Sequence, residues 1–409
     1  MRKLNPSIYE INTRLFLREK NLKWILDIPH TFWEDLKGKG FDYVWMMGVW
    51  DTCSSIIEKC CFSEGLTYAY NRALKDWQKE DVIGSPYAVN RYIPHKEIGT
   101  MQDLKALRDL LHTFDMGLIL DFIPNHLSAD SEIIKEHPEY FLCVKKEDFE
   151  SDPHTFFESS ALPGSYFAHG RDPFFPAWTD TVQVNFRNAG LRTYYLETLA
   201  GLSDICDGVR CDMAMLALNN VFRNTWGMLL PEGEEPEEEF WRELITGVRR
   251  NAPNFLFIAE AYWDLEWDLQ QLGFSFTYDK RLLDRLREAG AEKVRDHLKA
   301  EESYQMRSLR FLENHDEDRA MAALGKEKSL AAAVIISTVQ GMRFYHEGQF
   351  QGKRIRVPVQ LGREPKEQVV ESVEAFYNKL LSITSDTIFK DGKWKMRECS
   401  PVSHNDGSY

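Results

Sequence analysis

The feature of this sequence that most limits its fold is a short apolar segment that recurs eight times along the chain. The segments span residues 7–17, 43–50, 117–123, 207–213, 255–261, 274–278, 307–312 and 334–345. Between them, residues 101–114, 190–203, 240–249, 280–289 and 291–299 carry apolar side chains at intervals of three and four, the period of an amphipathic helix. A strand followed by a helix, repeated eight times, predicts an α/β fold whose parallel strands close into a (β/α)8 TIM barrel.

One interval between strands is too long for a simple barrel. A strand and its helix take about 30 residues in such a fold, whereas the third and fourth segments are separated by a long stretch rich in proline, glycine and aromatic residues. We therefore predict that residues 1–126 and 182–384 form the barrel and that residues 127–181 form a small irregular subdomain inserted on its rim after strand 3. Residues 385–409 are predicted to form a short or truncated C-terminal β extension, with a hairpin at Asp391-Gly392.

Charge and cysteine content exclude several classes of protein. A formal charge of −14 disfavours nucleic acid or an anionic membrane as a partner, because both would repel an acidic surface. The first residues contain neither a signal-peptide core nor a membrane anchor, so a cytoplasmic location is expected. The seven cysteines lack C-x-x-C spacing, which predicts reduced thiols rather than a disulfide framework or a zinc site. No sequence pattern indicates the oligomeric state.

Polar side chains end four of the predicted strands. They are Asp121, Asn125 and His126 after the third strand, Asp212 after the fourth, Glu260 after the fifth, and His315 and Asp316 after the seventh. The carboxyl ends of parallel strands meet at one rim of a barrel, which is where barrel enzymes carry their chemistry. We therefore expect the three carboxylates of Asp212, Glu260 and Asp316 to converge there with the two histidines.

The fourth and fifth strands predict two carboxyl groups with different protonation states. A period of two places Gly208, Arg210 and Asp212 on one face, where the glycine would leave room for a ligand and the arginine would favour an ionised Asp212. Glu260 follows a wholly apolar stretch, so burial should raise its pKa, as a general acid requires. A carboxylate nucleophile, a protonated acid and a further negative charge are the groups needed to cleave a glycoside with retention.

The four strand ends resemble, in order and spacing, the signature regions of the α-amylase superfamily, glycoside hydrolase family 13. The resemblance spans about residues 8–380, and it is closest to uncharacterised bacterial members that share the run from Ala259 to Trp267. It implies that Asp212 is the nucleophile, Glu260 the general acid and base, and Asp316 the transition-state stabiliser.

The same resemblance implies the residues that bind substrate. His126, Arg210 and His315 would hold the sugar in the −1 subsite, and Tyr87 would stack beneath it. In α-amylases a Lys-His pair usually follows the nucleophile, whereas this chain has Met215-Leu216. That difference puts endo-cleavage of starch and a structural calcium in doubt, although Asn125 matches a calcium ligand of many relatives. We therefore expect no metal or cofactor.

The leading hypothesis is hydrolysis of α-glucosidic bonds in malto-oligosaccharides or a related α-glucan, with the oligosaccharide as the partner. A transglycosylase or phosphorylase would use the same three acids and differ only in its acceptor. A non-catalytic barrel that serves as an interaction module is disfavoured, because all three acids are present. A metal-dependent barrel enzyme would instead use Asp121, His126, Glu260 and His315 as ligands.

Overall fold

The computed structural model describes residues 3–230 and 238–397, and its centre is a closed barrel of parallel strands. In chain order the strands are β1 (Ser7–Asn12), β2 (Tyr43–Met47), β3 (Gly117–Phe122), β4 (Gly208–Cys211), β5 (Leu256–Ala259), β6 (Phe276–Tyr278), β7 (Ser308–Arg310) and β8 (Met342–His346). Each strand pairs with the next, and β8 pairs with β1 to close the barrel. The predicted (β/α)8 TIM barrel is confirmed.

A helix after each strand covers the outside of the barrel. These helices are α1 (His30–Gly38), α2 (Met101–Thr113), α3 (Ala189–Ser203), α4 (Phe240–Arg249), α5 (Glu266–Gln271), α6 (Lys280–Glu288), α7 (Lys326–Thr338) and α8 (Glu371–Thr384). Further helices are Thr13–Glu19, Ser55–Cys60, Glu64–Ala73, Ile133–Glu136, Lys146–Ser151, Asn219–Trp226, Ala291–Leu298, Glu302–Gln305, Ala320–Ala323 and Thr387–Asp391. Within the described ranges, no helix has the length and apolar character needed to cross a membrane.

The predicted first and last strands are too long, for identifiable reasons. The first ends at Asn12, because the Asn12 side chain accepts a hydrogen bond from Leu15 N and caps the helix that begins at Thr13. The predicted last strand includes the end of α7, and β8 begins only after Gly341. Gly341 has φ +99°, and a Cβ there would lie 2.2 Å from the backbone oxygen of Ser308. Only glycine fits that turn.

Two apolar cores hold the barrel together. A smaller core fills the barrel interior with alternate strand residues such as Ile8, Trp45, Ile258, Phe311 and Phe344. A larger core lies between the strands and the helices around them. Successive strand residues point to opposite faces, so each strand is buried on both sides and reads as an almost continuous apolar run.

The segment between β3 and α3 forms two small antiparallel sheets. One pairs His126–Ser128 with Thr181–Gln183 at the base of the segment. The other joins Cys143–Val144, Tyr166–Ala168 and Phe156–Glu158. A further two-stranded antiparallel sheet, formed by Trp50–Thr52 and Val89–Pro94, lies after β2. The pair of His126–Ser128 with Thr181–Gln183 anchors both ends of the inserted segment beside the carboxyl end of β3.

The predicted C-terminal hairpin is wrong in the residues that the structure describes. Asp386 caps the helix Thr387–Asp391 by accepting a hydrogen bond from Ile388 N, and residues 392–397 form no strand. Lys390 lies beneath the barrel, where its Nζ donates to Asp42 Oδ2 at 2.6 Å and to Ser7 Oγ at 2.7 Å. The helical turn, rather than a hairpin strand, brings Lys390 to Asp42. Residues 398–409 of the predicted β extension lie outside the described residues.

Candidate active site

The site lies at the carboxyl ends of the strands, where the barrel interior changes from apolar to charged. The interior face of β5 runs from Leu256 and Ile258 to Glu260, directly beyond the strand. On β4 the same face carries Arg210 and leads to Asp212. The backbone hydrogen bonds between neighbouring strands continue past the strand ends. Asp212 N donates to Phe122 O at 2.9 Å, and Glu260 N donates to Cys211 O at 3.0 Å. Both carboxyl groups are therefore fixed at one level of the rim.

Arg210 joins the two carboxyl groups. Its Nη1 lies 2.6 Å from Asp212 Oδ1, and its Nη2 lies 2.7 Å from Glu260 Oε2. A third carboxylate, Asp121, lies 3.9 Å from Nη1 and accepts a hydrogen bond from Gly48 N at 2.8 Å. Since the Arg210 side chain is only 1% exposed, its charge acts on these carboxyl groups with little screening by water.

Burial gives the carboxyl groups unequal acidities. Burial raises the pKa of Glu260 to about 7, opposed by the charge of Arg210. Oε2 of Glu260 also accepts from Met213 N at 2.7 Å, and Oε1 accepts from the Tyr262 hydroxyl at 2.8 Å. Burial raises the pKa of Asp212 as well, since it outweighs Arg210. Arg210 favours the ionised form of Asp212, as the sequence predicts, but burial has the larger effect, so the pKa of Asp212 lies above its ordinary value.

Asp316 is the most acidic of the three. Partial loss of hydration opposes its ionisation, but the charge of His315 lowers the pKa of Asp316 to about 2. His315 Nε2 lies 2.9 Å from Asp316 Oδ2, and the Asp316 side chain is 53% exposed, so it faces the open cleft. Backbone N–H groups of Asp316 and Glu317 donate to Asn314 Oδ1, which holds the turn that carries Asp316.

A buried glutamate on β1 holds His315 in place. Glu10 Oε1 lies 2.5 Å from His315 Nδ1, while both side chains are almost fully buried. Burial disfavours the charged imidazolium, yet the charges of Asp316 and Glu10 raise the pKa of His315 well above its ordinary value. His315 is therefore a fixed cation between two carboxylates at neutral pH.

Tyr87 and His126 complete the set that the sequence predicts. The Tyr87 hydroxyl lies 2.7 Å from His315 Nε2, its ring stacks on His315 at 5.3 Å, and the Arg210 guanidinium lies 5.3 Å from that ring. Burial lowers the pKa of His126 to about 3, so its imidazole is neutral, and it packs against Trp178 at 5.2 Å. All seven predicted site residues lie on one rim.

The structure corrects one local interpretation. Gly208 does not leave room for a ligand, because a Cβ there would lie 2.5 Å from Leu256 Cβ and 3.0 Å from Ile119 Cδ1. This glycine lets β4 approach its neighbours closely at the amino end of the strand.

Several residues of the site were not predicted from the sequence. They are Glu10 under His315, Tyr262 on Glu260, and the rings of Trp45 and Tyr278 around Arg210. Glu10 carried a usable signal, since it is a single carboxylate in an apolar strand, as Glu260 is. The two rings carried none, because buried aromatic residues are common in any large core.

Two of the residues that a metal site would use, Asn125 and His315, have other partners in the structure. Asn125 Oδ1 accepts a hydrogen bond from Gln183 Nε2 at 3.0 Å, and the same Nε2 also donates to two backbone oxygens. His315 has carboxylates at both ring nitrogens, so both nitrogens already have partners. Across residues 3–230 and 238–397, no group of three or more His, Cys, Asp or Glu side chains has the arrangement of a metal site.

The contact between Glu10 and His315 gives a test that does not depend on turnover. In Glu10→Gln the negative charge at Nδ1 is lost, so the pKa of His315 should fall relative to the wild type, as followed by ¹⁵N–¹H NMR of labelled histidine. Glu371→Gln, an exposed change at the start of α8, is the control and should leave the titration unchanged. An unaltered His315 titration in Glu10→Gln would contradict the arrangement described above.

Known proteins share parts of this sequence. The family model described as alpha amylase, catalytic domain, matches residues 83–395. The α-amylase MalA of Haloarcula japonica is 25% identical over 66% of this chain, and the cyclomaltodextrin glucanotransferase of Geobacillus stearothermophilus is 23% identical over 60%. The chain spans 39% and 34% of the length of these two relatives.

Solved structures share the fold. A maltogenic α-amylase from Thermotoga neapolitana has a TM-score of 0.63 and 21% identity, covering 95% of this chain and 78% of its own. A cyclic maltosyl-maltose hydrolase from Arthrobacter globiformis has a TM-score of 0.65 and 14% identity, covering 95% and 85%. With the family match extending over most of the chain and the barrel closed as described, this protein belongs to the α-amylase family.

Proposed function

We propose that this protein is a retaining glycosidase that cleaves α-glucosidic bonds of malto-oligosaccharides or related α-glucans by double displacement. One observation carries the proposal: Arg210 holds Asp212 and Glu260 on one rim, while the pKa of Glu260 is raised to about 7 and that of Asp316 is lowered to about 2. Carboxyl groups of one site with different protonation states are what acid-assisted cleavage requires.

In the first step Glu260 donates its proton to the glycosidic oxygen while Asp212 attacks the anomeric carbon. The bond from that carbon to the leaving oxygen breaks, and a covalent glycosyl ester forms on Asp212. In the second step the Glu260 carboxylate takes a proton from water, whose oxygen displaces Asp212. Asp316, ionised throughout, stabilises the positive charge that develops on the sugar ring in both transition states.

The remaining residues hold the sugar and the catalytic groups. His126 is neutral and can donate or accept a hydrogen bond, whereas Arg210 and His315 are fixed cations that donate. Tyr87 presents its ring above Arg210 and beside His315, where a pyranose ring could stack on it. Tyr262 donates to Glu260 and so positions the acid.

A transglycosylase with the same three acids is the second candidate, supported by the likeness to a cyclomaltodextrin glucanotransferase. Met215 and Leu216 are 0% and 3% exposed in the larger core, so they place no polar group on the leaving-group side. Incubation with maltotriose, sucrose and trehalose, with and without phosphate, separates the candidates by their products. Glucose and shortened chains support hydrolysis, lengthened chains support transfer, and no change in any substrate would contradict both.

The pKa of Glu260 predicts the alkaline side of the pH profile. Because Glu260 must be protonated to donate, kcat/KM for maltotriose should fall as the pH rises through about 7. A 4-nitrophenyl α-glucoside, whose leaving group needs little protonation, should show a weaker fall. Glu260→Gln should lower kcat/KM for maltotriose far more than kcat/KM for the nitrophenyl glycoside. If kcat/KM fell by the same factor at alkaline pH for both substrates, the role of Glu260 would be contradicted.

A further inference from the structure

A second group of charges adjoins the rim on the side of Asp316. A cavity of about 330 Å³ is lined by three arginines, Arg72, Arg354 and Arg356, and by one acidic residue, Asp318. We call this cavity the arginine pocket. Its other walls are short or apolar, namely Ala69, Ala73, Ala322, Ala323, Ile355 and Pro358. Short walls beneath three guanidinium groups leave room for a compact anion.

The arginine pocket is connected directly to the catalytic carboxylate. Arg356 Nη1 donates to the backbone oxygen of Asp316 at 2.6 Å. Loss of hydration raises the pKa of Asp316, whereas the charges of His315, Arg210 and, to a smaller extent, Arg356 lower it. A ligand in this pocket would therefore lie close to the turn that carries Asp316.

Two of the three arginines lack a compensating charge. Among the described residues, the guanidinium groups of Arg72 and Arg354 form no ion pair, although the chain carries 64 acidic and 50 basic residues. The nearby Arg363, by contrast, pairs with Asp76 and Asp81. Glu367 lies close to Arg354 but accepts from its backbone N–H.

The helix dipole explains the presence of only one of the three arginines in the arginine pocket. Arg72 lies in the last turn of the helix Glu64–Ala73, where the helix dipole favours a cation. Arg354 and Arg356 lie in the segment after β8 and have no such reason to be basic. A larger cavity, of about 590 Å³, opens at the opposite end of the barrel, but its Arg108 and His112 both contact Asp207.

We propose that the arginine pocket binds a phosphoryl group, carried by the sugar substrate or supplied as inorganic phosphate. Guanidinium groups match phosphate oxygens in geometry and charge, and each charge-assisted hydrogen bond adds to affinity. These three arginines are exposed, and a neutral α-glucan offers them no negative charge. This inference deepens the proposed function, because it assigns a charged substrate or acceptor to the same site.

Direct binding tests the pocket without turnover. Calorimetry at low salt should show glucose 6-phosphate binding at least about tenfold more tightly than glucose, and inorganic phosphate binding measurably. Arg72→Gln and Arg354→Gln should each weaken phosphate binding by about tenfold. Arg250→Gln, an exposed change at the end of α4 near the other end of the barrel, is the matched control and should have no effect. Equal affinities for glucose and glucose 6-phosphate, or wild-type affinity in both pocket variants, would overturn the proposal.

Kinetics then distinguish the two sources of the phosphoryl group. A lower KM for the 6-phosphorylated nitrophenyl α-glucoside than for the neutral one assigns the group to the substrate. Conversion of the neutral glycoside to glucose 1-phosphate when phosphate is added assigns it to the acceptor. If phosphate binds but no α-glucoside is cleaved, the proposed function fails and the anion site stands. If neutral glucosides are cleaved without phosphate binding, the pocket proposal alone fails.

Discussion

Replacing Asp212 with asparagine is expected to lower kcat for an activated α-glucoside by a factor on the order of 10⁴ or more. Asparagine keeps the shape of the side chain but cannot form the glycosyl ester, so the first displacement is lost. Asp212 Oδ1 contacts Arg210 at 2.6 Å, and an amide oxygen can keep that contact, so the fold should persist. Stopped assays with the nitrophenyl glycoside measure the loss.

A matched control is available for this change. Asp109 is an exposed carboxylate on α2, and Asp109→Asn should retain full activity. Circular dichroism and the thermal midpoint of both variants should equal those of the wild type. Wild-type turnover by Asp212→Asn would remove Asp212 from the mechanism.

Replacing Arg210 with methionine is expected to lower the free energy of unfolding by about 3–5 kcal/mol at pH 8, because it leaves carboxylates buried without their counter-charge. Arg210 is 1% exposed and contacts both Asp212 and Glu260, so water cannot replace it. Without it, the folded-state pKa values of these carboxyl groups rise further above the unfolded values.

The pH dependence of this loss has a definite sign. In the Arg210→Met variant the folded state binds more protons than the unfolded state, so stability should fall as pH rises through the raised pKa values and recover toward pH 5. Urea unfolding at several pH values measures it. Arg250→Met, on an exposed position, should change stability by less than about 0.5 kcal/mol. A loss below about 1 kcal/mol at pH 8 would mean that Arg210 does not hold these carboxylates.

The sequence predicts the barrel and the residues at its rim because both follow from local periods. A period of two fixes which side chains of β4 and β5 face the interior, and the end of each apolar run marks the rim. Predicted helices therefore match α2, α3, α4 and α6 to within one residue at each end.

Quantities that depend on distant parts of the chain could not be predicted in this way. Glu10 contacts a histidine 305 positions away, and no local pattern reports that pairing. The pKa of Asp212 depends on how much protein surrounds it, which the adjacent Arg210 does not reveal. Residues 387–391 form a helix from which Lys390 reaches Asp42, again a contact with no local sign in the sequence.

Trapping the covalent intermediate tests the central claim most directly. A 5-fluoro-glucosyl fluoride reacts quickly with a retaining enzyme, while the ring fluorine slows release, so the ester can be isolated and mapped by mass spectrometry of the digested protein. We expect one fluoroglucosyl group on the peptide that contains Asp212 and none in Asp212→Asn. Turnover without any adduct, or an adduct on another residue, would contradict the double displacement at Asp212.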